Sequence, residues 1–213
     1  MYENRWTAGQ QLAEKLSAYP FESLCILGIP RGGIVTAAPI ALHFKTRLDV
    51  LVTRKIGHPG NSELAIGAVM PDGTAVLDQE AIQQHHISQA YLQQSIAIQH
   101  AELKRRMILY TGTAAPPVVS GKTAIVVDDG IATGYTMKAA ITWLKTLKPA
   151  KIIIAVPVAP PETIAALARE VDLVVCPLQP QLFWAVGAHY QEFGQTSDDE
   201  AIALLKECNQ AAE

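Results

Sequence analysis

The chain has 213 residues, of which 49% are hydrophobic and 17% charged, and its net charge is −3. This is enough apolar material for the core of one domain of ordinary size, and it gives no basis for nucleic acid or an anionic membrane as a general partner. No apolar run approaches the length of a membrane span. The opening MYENRWTAGQQ has an early acidic residue and no apolar segment, so it does not read as a secretory signal. Cys25, Cys176 and Cys208 are far apart and lack metal-ligand spacing, which suits a reducing cytoplasm.

In chain order, Ala8, Leu12 and Leu16 recur at helical spacing, which predicts a helix over 6–18 with Thr7 as N-cap and Pro20 as its stop. Residues 24–29 (LCILGI) read as a buried strand. It breaks into Pro30, Arg31, Gly32 and Gly33, and a helix pattern follows from Ile34 to His43. A glycine turn between a strand end and a helix start can offer backbone N–H groups, and here a guanidinium, to a diphosphate. The plain alternative is an ordinary turn with an exposed arginine.

Residues 48–53 (LDVLVT) read as the next strand, with Arg54 and Lys55 at its tip. HPGNSE, residues 58–63, reads as a loop. LAIGAVM, Pro71-Asp72-Gly73 and TAVL then form a β-hairpin pattern. A short helix is expected over 78–87, followed by a long one capped by Ser88, lined by Leu92, Ile96, Leu103 and Met107 and ending in Lys104, Arg105 and Arg106. His85 and His86 cannot share a helix face, and no acid lies at ligand spacing from His100, so no metal site is expected.

Residues 124–136, AIVVDDGIATGYT, hold the densest signal. Ala124 to Val127 are a buried-strand run. Asp128 and Asp129 follow, then the small-residue loop Gly130, Ile131, Ala132, Thr133, Gly134, and a helix that starts near Tyr135 and Thr136. A loop leading into a helix N-terminus aims unpaired N–H groups and the positive end of the helix dipole at one spot, which suits a phosphate. The carboxylates are acceptors only and suit hydroxyls. Phosphate on one side and adjacent hydroxyls on the other describe a ribose 5-phosphate.

This stretch resembles the thirteen-residue signature of the type I phosphoribosyltransferases: an apolar run, two acids and a T-G-x-T phosphate loop. Gly130 departs from it, standing where a branched apolar residue is usual. RKIGHPGNSELAIGAV is similar to a group of bacterial predicted phosphoribosyltransferases, and the likeness extends over most of the chain. The resemblance implies 5-phosphoribosyl 1-diphosphate (PRPP) as substrate, carried with Mg²⁺. Asp128 and Asp129 would hold the ribose hydroxyls and residues 130–136 the 5-phosphate. Pro30, Arg31, Gly32, Gly33, Arg54 and Lys55 would face the diphosphate, with Arg31 grouped with the acidic pair as catalytic.

After the motif, residues 151–158 read as a strand, Glu162 to Glu170 as a helix begun by proline, and 171–176 as the last core strand. Ser197-Asp198-Asp199-Glu200 is a capping box opening a final helix. Alternating strands and helices predict an α/β fold, an open, mostly parallel sheet flanked by helices. The resemblance adds a small hood and a hairpin/helix flap. The expected division is a single domain over 1–213, with a core of about 20–176, an insertion or flap of about 57–115 and a hood with the C-terminal helix over about 177–213. FWAVG, from Phe183, resembles the segment after the last strand in hypoxanthine-type enzymes, which makes Phe183 or Trp184 a base-stacking residue of an acceptor pocket. Core packing is the plainer reading of those rings. Ala132 stands where hypoxanthine-type enzymes have an aspartate, and Ala159-Pro160-Pro161 offers no lysine, so a 6-oxopurine acceptor is not implied.

The expected function is therefore a pentosyltransferase of the cytoplasm acting on PRPP and a small nitrogen acceptor, a nucleobase, with Glu63 and His189 as the ionisable candidates for a base. The resemblance also implies a homodimer. The competing reading is a regulator that senses PRPP or a nucleotide without turnover.

Overall fold

The fold is described from a computed structural model of residues 1–212, with the backbone alone at Ser62 and Glu63. The strands, in chain order, are β1 (Leu24–Gly28), β2 (Leu48–Val50), β3 (Arg54–His58), β4 (Asn61–Val69), β5 (Ala75–Leu77), β6 (Thr123–Val127), β7 (Lys151–Ala155) and β8 (Leu173–Val175). The helices are α1 (Arg5–Leu16), α2 (Gly32–His43), α3 (Gln79–Gln84), α4 (Gln89–Thr111), α5 (Tyr135–Thr146), α6 (Pro161–Leu167) and α7 (Asp198–Ala211). They form two compact units.

The first unit comprises Met1–Leu51, Pro117–Gly134 and the chain from Leu147 onward. Its five strands run in the order β2-β1-β6-β7-β8, and every pairing is parallel. The composition explains this. All of β6 is buried, and β7 buries Ile152 to Ala155, the continuous apolar pattern of strands covered on both faces. Helix α2 is apolar nearly all round and buries Ile34, Ala37, Ala38, Ile40 and Ala41 against β1, α1 and α7. The strand order reverses between β1, which leads through α2 to β2, and β6, which leads towards β7 on the other side. In such sheets the crevice at that reversal, beyond the strands' C-terminal ends, is where ligands bind.

Local chemistry sets the element ends. Helix α1 is capped by Asn4, whose side chain accepts from the Thr7 N–H while Thr7 Oγ1 accepts from the Asn4 N–H. Thr7, expected as the cap, is instead the third helical residue and closes this capping box. Helix α7 has the expected box of Ser197 and Glu200. At the sheet edge, the Asn209 amide accepts from the Leu48 N–H at 2.9 Å and donates to its carbonyl at 3.0 Å, standing in for a neighbouring strand.

The second unit comprises Val52–Pro116 and Tyr135–Thr146. Its antiparallel sheet runs β3-β4-β5 over a core of Ile56, Ile66, Val69, Ile87 and Leu92, with α4 and α5 packed on it. The expected hairpin is β4 and β5, closed by Met70 N–H to Thr74 C=O at 2.8 Å and by the Asp72 carboxylate, which accepts from the Thr74 N–H at 3.0 Å. Two expectations are corrected. Arg54 to His58 are a strand rather than a tip and loop start, because the long β4 supplies an antiparallel partner. Helix α4 continues past its basic run to Thr111 and ends at Gly112 in the left-handed region, φ 74°. Among the described residues no helix is long and apolar enough to cross a membrane.

Candidate functional site

Strands β1 and β6 are neighbours in register, Gly28 beside Val127, and the Ile29 N–H continues the ladder to the Val127 carbonyl at 2.9 Å. The PRGG turn and the acidic loop therefore leave the sheet side by side at the switch point. Sequence reasoning picked these two loops separately, and the fold brings them together.

The first loop turns over a cis peptide between Pro30 and Arg31, and Arg31 occupies the N-cap position of α2 without a side-chain capping bond. Helix α2 has no acidic residue in its first turn, so its N-terminal N–H groups keep their positive potential. Arg31 is half-buried at this end.

In the second loop the Asp128 carboxylate accepts from the Asp129 N–H at 2.9 Å. Burial, then the neighbouring Asp129 charge, pushes the Asp128 carboxyl well above the usual carboxylate range. Asp129 is engaged by residues outside either motif. Arg5 Nε donates to its Oδ2 at 2.7 Å, and the Tyr190 hydroxyl donates to its main-chain carbonyl at 2.5 Å. Burial, then the Asp129 charge, raises the Tyr190 phenol well above its ordinary value, so it remains a donor. These contacts join positions more than sixty residues apart, and only one sequence feature hinted at them: a basic residue at the first position of α1, where the helix dipole disfavours it.

Past the carboxylates, a methyl on Gly130 would lie 2.5 Å from Val186 Cγ1, which explains glycine where a branched residue is usual. Ile131 is buried, and its N–H donates to the Val158 carbonyl at 2.9 Å. The Thr163 hydroxyl donates to the Ala132 carbonyl at 2.8 Å, so α6 braces the loop. Ala132 and Thr133 are exposed, and Gly134 holds φ at 76°, a conformation that costs a residue with a Cβ about 1 kcal/mol or more. The chain then enters α5, where Tyr135 and Thr136 form the exposed first turn. First-turn N–H groups have no intrahelical partner.

The other predicted residues belong to further elements. Arg54 and Lys55 belong to β3 in the second unit, where Arg54 Nε donates to Gln99 at 3.0 Å. Phe183 stacks on His189 with ring centroids 5.3 Å apart and packs against the cluster of Tyr2, Ala8, Val158 and Tyr190. Trp184 is 89% exposed. The Glu63 side chain lies outside the described residues.

The family model for the phosphoribosyl transferase domain matches residues 3–191. The Mycobacterium tuberculosis H37Rv protein named "Putative phosphoribosyl transferase Rv0571c" is 40% identical over 205 residues, covering 96% of this chain and 46% of that protein. Its counterpart from strain CDC 1551, "Putative phosphoribosyl transferase MT0597", matches to the same extent. The chain thus spans about half the length of the curated relatives it matches. The crystal structure of TT1426 from Thermus thermophilus is 38% identical, covers 97% of this chain and 98% of its own, and superposes with a TM-score of 0.83.

Proposed function

The chain belongs to the phosphoribosyl transferase domain family, and we propose that it transfers phosphoribose from PRPP to a nitrogen acceptor, a nucleobase, releasing diphosphate. The observation that carries this reading is the meeting of the PRGG turn and the Asp128–Asp129 loop at the β1/β6 switch point, with the exposed Ala132 and Thr133 beyond the carboxylates. A cationic glycine turn, two hydroxyl acceptors and a run of backbone donors are, in that order, what a diphosphate, a ribose and a 5-phosphate require.

In the reaction the acceptor nitrogen forms a bond to C1 of the sugar while the C1–O bond breaks. The electron pair leaves with the diphosphate, and the acceptor's proton passes to water. The sugar becomes oxocarbenium-like as the bond breaks. The Arg31 guanidinium and the N–H groups at Gly32 and Gly33 stabilise the charge that builds on the leaving group. Asp128 and Asp129 accept the ribose hydroxyls, and their negative charge favours the developing cation. Residues 130–136 anchor the 5-phosphate, so binding energy away from the reacting carbon fixes its position. Carboxylates are hard oxygen donors, the ligand type that suits Mg²⁺, and an ion brought in with the substrate would help neutralise the diphosphate beside them. Phe183 and Trp184 are assigned to the acceptor side.

The test is diphosphate release from PRPP across a panel of nucleobases. Release with one base and not the others supports the proposal and names the acceptor. PRPP binding without release for any base favours the sensing regulator instead.

A further inference from the structure

Asp129 is held more firmly than its place in a loop requires. Its Oδ2 accepts from Arg5 Nε at 2.7 Å, with the two side chains only 12% and 16% exposed, and its carbonyl accepts from Tyr190. Arg5 is in turn held by two other groups. Its guanidinium carbon lies 3.7 Å from the centroid of the Phe193 ring, and Nη1 donates to the Gly194 carbonyl at 2.7 Å. A methyl on Gly32 would overlap the Asp129 carboxylate and lie 2.7 Å from Arg5 Nε, so the diphosphate turn closes directly over this pair.

The helix itself gains nothing from the arrangement. Arg5 is the first residue of α1, whose first turn carries no acid, and a cation there opposes the helix dipole. The carboxylate, the ring face and the carbonyl offset that cost, which means the position is explained by what Arg5 touches across the sheet end.

We infer that Arg5 is a positioning residue for the ribose contact: by binding Oδ2 of Asp129 it leaves Oδ1 as the oxygen that accepts a sugar hydroxyl, and so sets the site's preference for a ribose over a deoxyribose. This rests on the proposed role of the acidic pair and extends it to a residue of α1 that belongs to neither loop. Arg5 acts through Asp129 and does not touch the sugar. Phe193 holds Arg5 in the same arrangement, one step further out.

The experiment compares ribose 5-phosphate with 2-deoxyribose 5-phosphate by calorimetry on wild type, Arg5→Gln, Arg5→Lys and Phe193→Ala, each checked for folding by circular dichroism. The phosphate contacts are common to both sugars and cancel in the affinity ratio. Wild type prefers the ribose. Arg5→Gln lowers that preference about tenfold, the scale of one hydrogen bond to a charged group. Arg5→Lys recovers part of it, since lysine keeps the charge without the planar fork, and Phe193→Ala lowers it by a smaller factor. A purely structural role would weaken both sugars equally and leave the ratio unchanged, and that result in folded Arg5→Gln overturns the inference alone. If Arg5→Gln does not fold, an unchanged ratio in both Arg5→Lys and Phe193→Ala overturns it. Wild type that binds neither sugar phosphate overturns the inference, and wild type that also fails to bind PRPP overturns the functional proposal on which it rests.

Discussion

Gly33 and Val127 meet where their loops leave the sheet: a methyl on Gly33 would lie 2.7 Å from the Val127 carbonyl oxygen and 3.0 Å from the Asp128 Cα. The turn assigned to the diphosphate and the strand end that presents the carboxylates are therefore spaced by a missing side chain. Gly33→Ala should force them apart. The expected cost is about 1–3 kcal/mol of stability, the range for overpacking a tight site, together with weaker PRPP binding. Urea unfolding and calorimetry check it, and a variant as stable and as tight-binding as wild type would contradict the proposed spacing.

Asp128 should trade stability for function. Its carboxyl is raised by burial and by the Asp129 charge, so the folded state holds that proton more tightly than the unfolded state. A group of this kind favours folding below its unfolded value, and the contribution is lost as pH rises through the raised folded value. At neutral pH, well above the unfolded value, the raised carboxyl thus costs the ligand-free protein stability. Asp128→Asn is expected to raise the melting temperature at pH 7.5, with the gain shrinking as pH falls towards about 4, and to abolish PRPP binding. A lower melting temperature at pH 7.5 would show that the carboxylate stabilises its loop.

Asn209 offers a control far in sequence from both loops. Its amide satisfies both main-chain groups of Leu48 on the edge strand β2. Asn209→Ala should cost about 1–3 kcal/mol by leaving those groups unpaired, with PRPP affinity unchanged. A loss of affinity matched to the loss of stability would mean that the sheet edge and the ligand loops are coupled.

Burial raises the thiols of Cys25 and Cys208 to about 11, and both side chains are almost fully enclosed. At pH 8 iodoacetamide should leave both unmodified in the native protein and label them after denaturation, as read by intact mass. Rapid labelling of Cys208 in the native state would show that α7 opens from α2.

The parallel sheet was legible because its strands are short β-branched runs such as Ala124–Val127 and Ile152–Ile154, a pattern tied to local sequence. The acidic pair and the glycine turns were legible because their chemistry is concentrated within a few residues. Strand β3 was missed because RKIGH carries charges and a glycine and becomes a strand only by pairing with β4. The basic run of α4 resembled a helix end, but ILYT continues the helix, and the stop is Gly112. The support of Asp129 by Arg5, Tyr190 and Phe193 left only the hint of a cation at a helix start, since it depends on the fold bringing distant parts of the chain to one loop.

The central claim is that residues 128–136 and the PRGG turn bind PRPP. Calorimetric titration of the wild-type protein with PRPP, with and without Mg²⁺, and of the Asp128→Asn/Asp129→Asn double variant tests it most directly. The account predicts Mg²⁺-dependent binding to wild type and none to a folded double variant. Equal affinity in the two proteins, or no binding to wild type, would contradict it.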